Sequence, residues 1–383
     1  MKILFISMPS IHAKRWIENL IDTDHEIFWF DILDKGNMNI NLIPLENQFV
    51  NWKNRKKNFV KGEYKLSKYF PFFYRKVETY FQTTASEYLE YIIKRIEPDV
   101  IQSFEMQSCS YPILKTMKKF ENIKWIYSCW GSDLYYYSYF YLHYKIIKKV
   151  LKRIDFIFTD CKRDLNYAIK LGFNGESLGV LPGGSGYNIS DFKSYKEPLH
   201  KRKIILIKGY EHKFGRATNV LRSLELVQNE ISNLNIIVFG SHQKVIDYIK
   251  CNNLNYVHYK RHELSHPELI ELMGKSLIYI GNSISDGIPN TLLEALMMGA
   301  FPIQSNPGGA TEEYINNKKN GLLINDPYNL VEISSLIKLA VQKKVLLEKA
   351  FFLNKNIADQ RLERKKVKNK IIESYRLIDS KIP

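Results

Sequence analysis

Short apolar runs alternate with amphipathic stretches from one end of this chain to the other, and the cycle is run through twice. Strands buried on both faces of a parallel sheet read as continuous apolar runs, and the stretches between them read as the helices of repeated βαβ units. In the first half, strands are expected at 3–6, 26–30, 100–103, 125–128, 156–159 and 179–181. After the Gly-, Pro- and Asn-rich stretch LPGGSGYNISDF the cycle restarts, with strands expected at 203–207, 236–239, 257–259, 277–280, 301–304 and 322–324. A chain of 383 residues also exceeds the size at which one core keeps growing. The expectation is an α/β protein of two doubly wound domains, 1–195 and 196–355. Their boundary lies in SYKEPLHKRK, where Pro198 and a charge run suit a linker. The polar, helical pattern of 356–383 is expected to pack back on the first domain. In such a layout ligands bind at the carboxyl ends of strands, in the crevice between the halves.

Charge narrows the partners. Lys and Arg number 56 against 40 Asp and Glu, a formal +16, which favours something anionic: nucleic acid, a phosphorylated substrate or an acidic lipid surface. No nucleic-acid-binding motif accompanies the charge, so nucleic acid is not the expected partner. Residues 51–76 hold nine Lys/Arg against Glu63 alone, interleaved with Trp52, Phe59, Tyr64, Tyr69, Phe70, Phe72, Phe73 and Tyr74. A second such stretch, LYYYSYFYLHYKIIKKVLKR, runs from Leu134 to Arg153. Alternating cations and rings suit a bilayer interface; a long loop packed on its own domain plus a solvated basic helix face accounts for them equally. Cys109, Cys129, Cys161 and Cys251 form no C-x-x-C pair, which argues against zinc and a disulfide framework and fits a reducing cytoplasm. The apolar run at the N-terminus is too short for a signal peptide, and none approaches the ~18 residues of a spanning helix. The expected location is cytoplasmic, at most peripheral on the inner face of the cell membrane.

The chemistry concentrates in GNSISDGIPNTLLEALMMGAFPIQSNPGGATEE, 281–313. A polar loop, Ser283 to Gly287, follows an apolar strand, and Pro289 fits the first position of a helix running to about Met298. Free N–H groups at that helix start, with the helix dipole, suit a diphosphate. Glu294, one turn beyond Asn290 and Thr291, shares their face and can accept hydrogen bonds from a vicinal diol such as ribose. Asp286 stands eight residues earlier, placed to receive hydroxyls of a sugar beside the phosphates.

Asp286 with Glu294 resembles the E-x7-E motif of retaining glycosyltransferases of the GT-B fold, family 4 (glycosyl transferases group 1). Gly287, Pro289, Leu293, Ala295, Gly299, Pro302, Gly308, Gly309 and Glu312 extend the match, while Asp286 stands one methylene short of the usual Glu. The resemblance implies two Rossmann-like domains facing a central cleft. It also implies transfer of a hexosyl unit from a nucleotide diphosphate sugar to an acceptor hydroxyl with retention, without metal or cofactor. Donor contacts are then expected from Asp286, Gly287, Ile288, Pro289, Asn290, Thr291 and Glu294. The family's cationic clamp on the departing diphosphate falls on IKGYEHKFGRA, where Lys208, Lys213 and Arg216 are expected to bind the donor, with Lys208 and Arg216 favoured for the charge on the leaving group and Lys213 the more solvated of the three. In the first domain, MPSIHAKRW offers His12, and WGSDL resembles an H-G-x-D segment with Trp130 for the His and Asp133 toward the acceptor. PDVIQSFE resembles a strand end lining the acceptor pocket, with Gln102 and Ser103 exposed to it. The acceptor implied is a glycan or lipid-linked glycan of bacterial surface assembly. A sugar-nucleotide epimerase and a non-catalytic nucleotide- or glycan-binding protein are the alternatives. Asp22-Thr23-Asp24 reads as a turn and the His262/His266 pair as a loop, so no metal site is expected.

Overall fold

The computed structural model describes residues 1–38, 43–58 and 60–382; Phe59, counted above among the aromatic residues, lies outside them. Two compact units result, each with its own sheet.

The first unit comprises Met1–Thr159, Leu165–Gly179 and Ile371–Pro383. Its strands are β1 (Lys2–Ser7), β2 (Glu26–Asp31), β3 (Gln48–Phe49), β4 (Val100–Phe104), β5 (Lys124–Ser128), β6 (Phe156–Thr159) and β7 (Glu176–Val180). They are ordered β3-β2-β1-β4-β5-β6-β7, with β1 paired in parallel to both β2 and β4. The strand order therefore reverses at β1 and β4, the doubly wound switch point. The helix Ala85–Ile96 shows why the core forms: a Thr84/Glu87 capping box starts it, and Leu89, Ile92, Ile93 and Ile96 then recur at helical spacing and are buried.

The second unit comprises Asp160–Asp164 and Val180–Lys370. Its strands are β8 (Ile204–Lys208), β9 (Asn235–Ser241), β10 (Val257–Lys260), β11 (Ser276–Gly281), β12 (Phe301–Ser305) and β13 (Leu322–Ile324). All are parallel, in the order β10-β9-β8-β11-β12-β13, so here the reversal falls between β8 and β11.

Every expected strand is present, with ends displaced by at most three residues; β3, a two-residue edge strand, carries no pattern to read. The domain boundary differs from the expected 195/196. The stretch LPGGSGYNISDF has a linker's composition, yet Tyr187 and Ile189 are buried in the second unit's apolar cluster. Tyr187 also exchanges backbone hydrogen bonds with Leu362 (2.8 Å) and Arg364 (2.9 Å). The return to the first unit begins at Ile371 rather than 356, because the helix Lys344–Arg361 buries Leu347, Ala350 and Ala358 in the second unit. From Ile371 onward the last helix completes the first unit: Trp16 Nε1 donates to the Tyr375 hydroxyl at 3.0 Å, and Ser374 donates to the Leu178 carbonyl at 3.0 Å. The 51–76 stretch is not one long loop; it contains the helix Glu63–Tyr69 and the start of Pro71–Phe81, with Pro71 at a first helical position. Among the described residues no helix is long and apolar enough to cross a membrane.

Candidate active site

In the second unit the chains leaving β8 and β11 emerge side by side at the strand-order reversal, and their loops are zipped together. Arg216 N donates to Asn282 O at 3.0 Å, and Ile284 N donates to Phe214 O at 2.9 Å. Gly215 permits the tight turn, since a Cβ there would lie 2.2 Å from the Tyr210 carbonyl oxygen. Lys208 ends β8 half-buried, with Nζ 4.7 Å from the Tyr210 ring. Lys213 is exposed at the turn. The Arg216 guanidinium donates to Gly215 O (2.6 Å), His212 O (2.9 Å) and the Tyr328 hydroxyl (2.8 Å), so part of its donor capacity shapes the loop itself. Desolvation holds His212 below the usual imidazole range. His242, Lys208 and Arg261 push the same way and Asp286 opposes, so these charged groups lie within reach of one imidazole. His212, His242 and Arg261 were not singled out in the sequence; only their place at the carboxyl ends of β8, β9 and β10 marks them.

Beyond β11, Asp286 Oδ1 accepts from Gly287 N at 3.0 Å. Pro289 is the residue before the helix (φ −61°, ψ 126°) rather than its first member; Asn290–Met298 is the helix. Gly287 is pressed against Asp160, where a Cβ would meet Oδ2 at 2.2 Å, and Ile288 N donates to that same oxygen at 3.0 Å. Asp160 thus backs the loop from behind. Burial, then the neighbouring Asp164, pushes its carboxyl well above the usual range. Asp160, Cys161 and Asp164 are the described residues grouped closely enough to share a metal, their ligand atoms lying within 4.8 Å of one another. Arg163 already supplies a cation there, with Nη2 2.7 Å from Asp164 Oδ1.

The helix Asn290–Met298 is buried from Leu292 onward and ends at left-handed Gly299 (φ 80°). At its start Thr291 Oγ1 lies 2.9 Å from the Tyr279 hydroxyl. Glu294, 4% exposed, lies one turn further on, and its Oε1 is 2.8 Å from Nε2 of His266. His266 therefore departs from the loop reading: His262 sits in a turn (φ 66°), but His266 opens the helix His266–Lys275. Asp22-Thr23-Asp24 does lie in a turn.

In the first unit His12, on the helix Ile11–Ile17, faces Trp130 with ring centroids 5.8 Å apart, so the two segments singled out in the sequence do meet. Asp133 does not face open space. It is 4% exposed and accepts from Met106 N (3.0 Å), Trp130 N (3.0 Å) and the Tyr127 hydroxyl (2.6 Å), knitting the loops after β4 and β5 together. Gln102 and Ser103 are likewise fully buried: Gln102 Nε2 donates to Ser128 Oγ at 2.8 Å, and Ser103 Oγ accepts from Trp125 Nε1 at 2.9 Å. The residue that emerges instead is Glu105, one past β4 at the switch point. It holds φ 70°, ψ 146°, a conformation that strains any residue but glycine. Its carboxylate accepts from Gln107 N (3.0 Å) and Ser108 N (2.5 Å). Burial, then Asp133, pushes its pKa up to about 7. The signal was a carboxylate just beyond a strand end, inside a segment already singled out.

With this geometry in place, the likeness to known proteins is specific. The chain matches the family described as Glycosyl transferases group 1 over residues 189–357 and that described as Glycosyl transferase 4-like over residues 2–161. No curated protein matches it in sequence. Among solved structures it is similar to Anabaena Alr3699/HepE in complex with UDP and glucose (TM-score 0.68, 14% identity, 98% of this chain and 99% of that one). It is similar also to sucrose-phosphate synthase from Thermosynechococcus elongatus (TM-score 0.71, 13% identity, 99% of each chain). A glycosyltransferase from Rickettsia africae gives a TM-score of 0.65 at 16% identity over 98% of each chain. Two family matches that together span every strand but β7, on two parallel α/β units of this topology, make the chain a member of the group 1 glycosyltransferases with the GT-B fold.

Proposed function

We propose that this glycosyltransferase moves a hexosyl unit from a nucleoside diphosphate sugar to an acceptor hydroxyl, with the anomeric configuration retained. The observation that carries the reading is the run from Asp286 to Glu294: a carboxylate, a helix start and a buried carboxylate one turn on, zipped to a loop bearing Lys208, Lys213 and Arg216. The helix start suits the diphosphate, Glu294 a ribose diol and Asp286 the hexose hydroxyls. UDP and glucose in the HepE structure are of this ligand class.

In this scheme the bond from the anomeric carbon to the diphosphate oxygen breaks, and a bond to the acceptor oxygen forms on the same face. The departing phosphate oxygen takes the acceptor's proton. Lys208 and Arg216 stabilise the charge that develops there, so the scheme calls for neither a protein base nor a metal. On the acceptor side, His12 with Trp130 and the strained Glu105 are the residues proposed to meet a glycan of surface assembly, free or lipid-linked.

Product analysis with nucleotide sugars tests the reading. Replacing Lys208 and Arg216 together with Ala is expected to lower turnover by about 10²–10³-fold, and activity is expected to survive chelation. Intact turnover in the double variant would overturn the assignment, and conversion of the donor without any acceptor would point to an epimerase instead.

A further inference from the structure

The fold gathers the two aromatic, basic segments of the first unit onto one surface. The helices Glu63–Tyr69 and Pro71–Phe81 pack against each other on either side of Phe70, and Phe72 brings the second against the helix Tyr141–Leu151. His143 joins the two: Phe72 meets its ring at 5.1 Å, and Tyr137 and Phe140 lie against it at 4.8 and 6.4 Å. Around this joint Tyr69, Phe70, Phe73, Phe140, Tyr141 and Leu142 are between 45% and 67% exposed. Water is a poor solvent for such a cluster of rings, which marks an interaction surface.

Lysines are interleaved with the rings. Lys68 Nζ lies 5.5 Å from the Tyr69 ring and Lys145 Nζ 4.1 Å from the Tyr141 ring, and Lys65 and Lys149 are exposed nearby. The carboxylates are withdrawn. Leu134 to Arg153 contains none. Glu63 is turned inward at 6% exposure, held by both terminal nitrogens of Arg55 (2.7 and 2.9 Å) and by the Tyr74 hydroxyl (2.8 Å). Glu78 is half-buried and accepts from Gln82 Nε2 at 2.6 Å. The outward chemistry is therefore aromatic and cationic. Protruding Phe and Leu side chains suit the acyl boundary, Tyr rings the headgroup level, and lysines the phosphates of anionic lipids.

We infer that this face docks the first unit on an anionic lipid bilayer. The inference rests on the proposed function only for its purpose, that of bringing the enzyme to a lipid-linked acceptor; docking itself is independent of turnover. Co-sedimentation of the full chain with phosphatidylcholine vesicles, with and without phosphatidylglycerol, tests it. The wild type is expected to sediment with the anionic vesicles and to be released by salt. The variant F70S/F73S/Y141S replaces exposed rings, leaves the His143 joint in place, and is expected to bind roughly tenfold more weakly. K65Q/K68Q/K145Q is expected to lose the preference for phosphatidylglycerol. Thermal shift with nucleotide sugars should be unchanged in both, which separates failure here from failure of the proposed function. Sedimentation that survives the aromatic substitutions or ignores phosphatidylglycerol overturns the inference. So does binding to duplex DNA with the same residue dependence.

Discussion

Nε2 of His266 lies 2.8 Å from Oε1 of Glu294, a contact that ties the first residue of one helix to the buried middle of another. Held from one side, the carboxylate keeps lone pairs with which it can accept hydrogen bonds from a diol, as the proposed function requires. Replacing His266 with Ala frees the carboxylate to rotate. The expected outcome is a rise of about tenfold in donor KM with kcat nearly unchanged, as suits a charge-assisted hydrogen bond of roughly 1.5 kcal/mol. Steady-state kinetics checks it, and a fall in kcat with KM constant would contradict a positioning role.

Glu105 sets a pH dependence whose sign is fixed. Its carboxyl is raised from 4.5 to about 7, so the folded state holds the proton more tightly than the unfolded chain. The associated stability is whole below about pH 4.5 and is lost as pH rises to about 7. Glu105→Gln should remove this slope, the two proteins diverging by up to roughly 3 kcal/mol across the window. Urea unfolding at a series of pH values reads the difference; parallel curves would show that Glu105 titrates normally.

Gly287→Ala places a methyl group where Asp160 Oδ2 now lies, 2.2 Å from the new Cβ. Either the carboxyl or the loop must move, and donor affinity should drop by about tenfold or more. Since the two residues touch, adding Asp160→Ala should cost less than the two single effects combined. Isothermal titration of the three variants with a nucleotide sugar gives the coupling; strict additivity would rule it out.

Tyr375→Phe removes the hydroxyl that accepts from Trp16 Nε1 and donates to Gln102 Oε1, in a site closed to water. Both partners are left unpaired, so a loss of about 1–3 kcal/mol in chemical denaturation is expected. Donor affinity, which the proposed function assigns to the second unit, should not change.

The sequence shows what is local and hides what topology assembles. The strands were legible because a buried parallel strand needs an unbroken apolar run. The Asp286 to Glu294 segment was legible because loop, helix start and i+4 neighbour are contiguous. The partners of that segment were not: His266 lies 28 positions from Glu294, and Asp160 lies 128 from Ile288. Asp133 was read as facing the acceptor, and nothing in WGSDL shows that its oxygens are engaged by Met106, Trp130 and Tyr127. The boundary differs because Pro198 and a charge run mark an exposed connection, whereas the second unit already runs from Val180 and buries Tyr187.

The first unit takes its closing helix from Ile371 onward, about 190 residues after Gly179. On a ribosome adding roughly 5–20 residues per second, the sheet waits on the order of 10–40 s for that helix. Through this interval the nascent chain exposes the flank of Trp16 that Tyr375 later covers. Chaperone dependence during synthesis should therefore concentrate on the half of the protein that is made first.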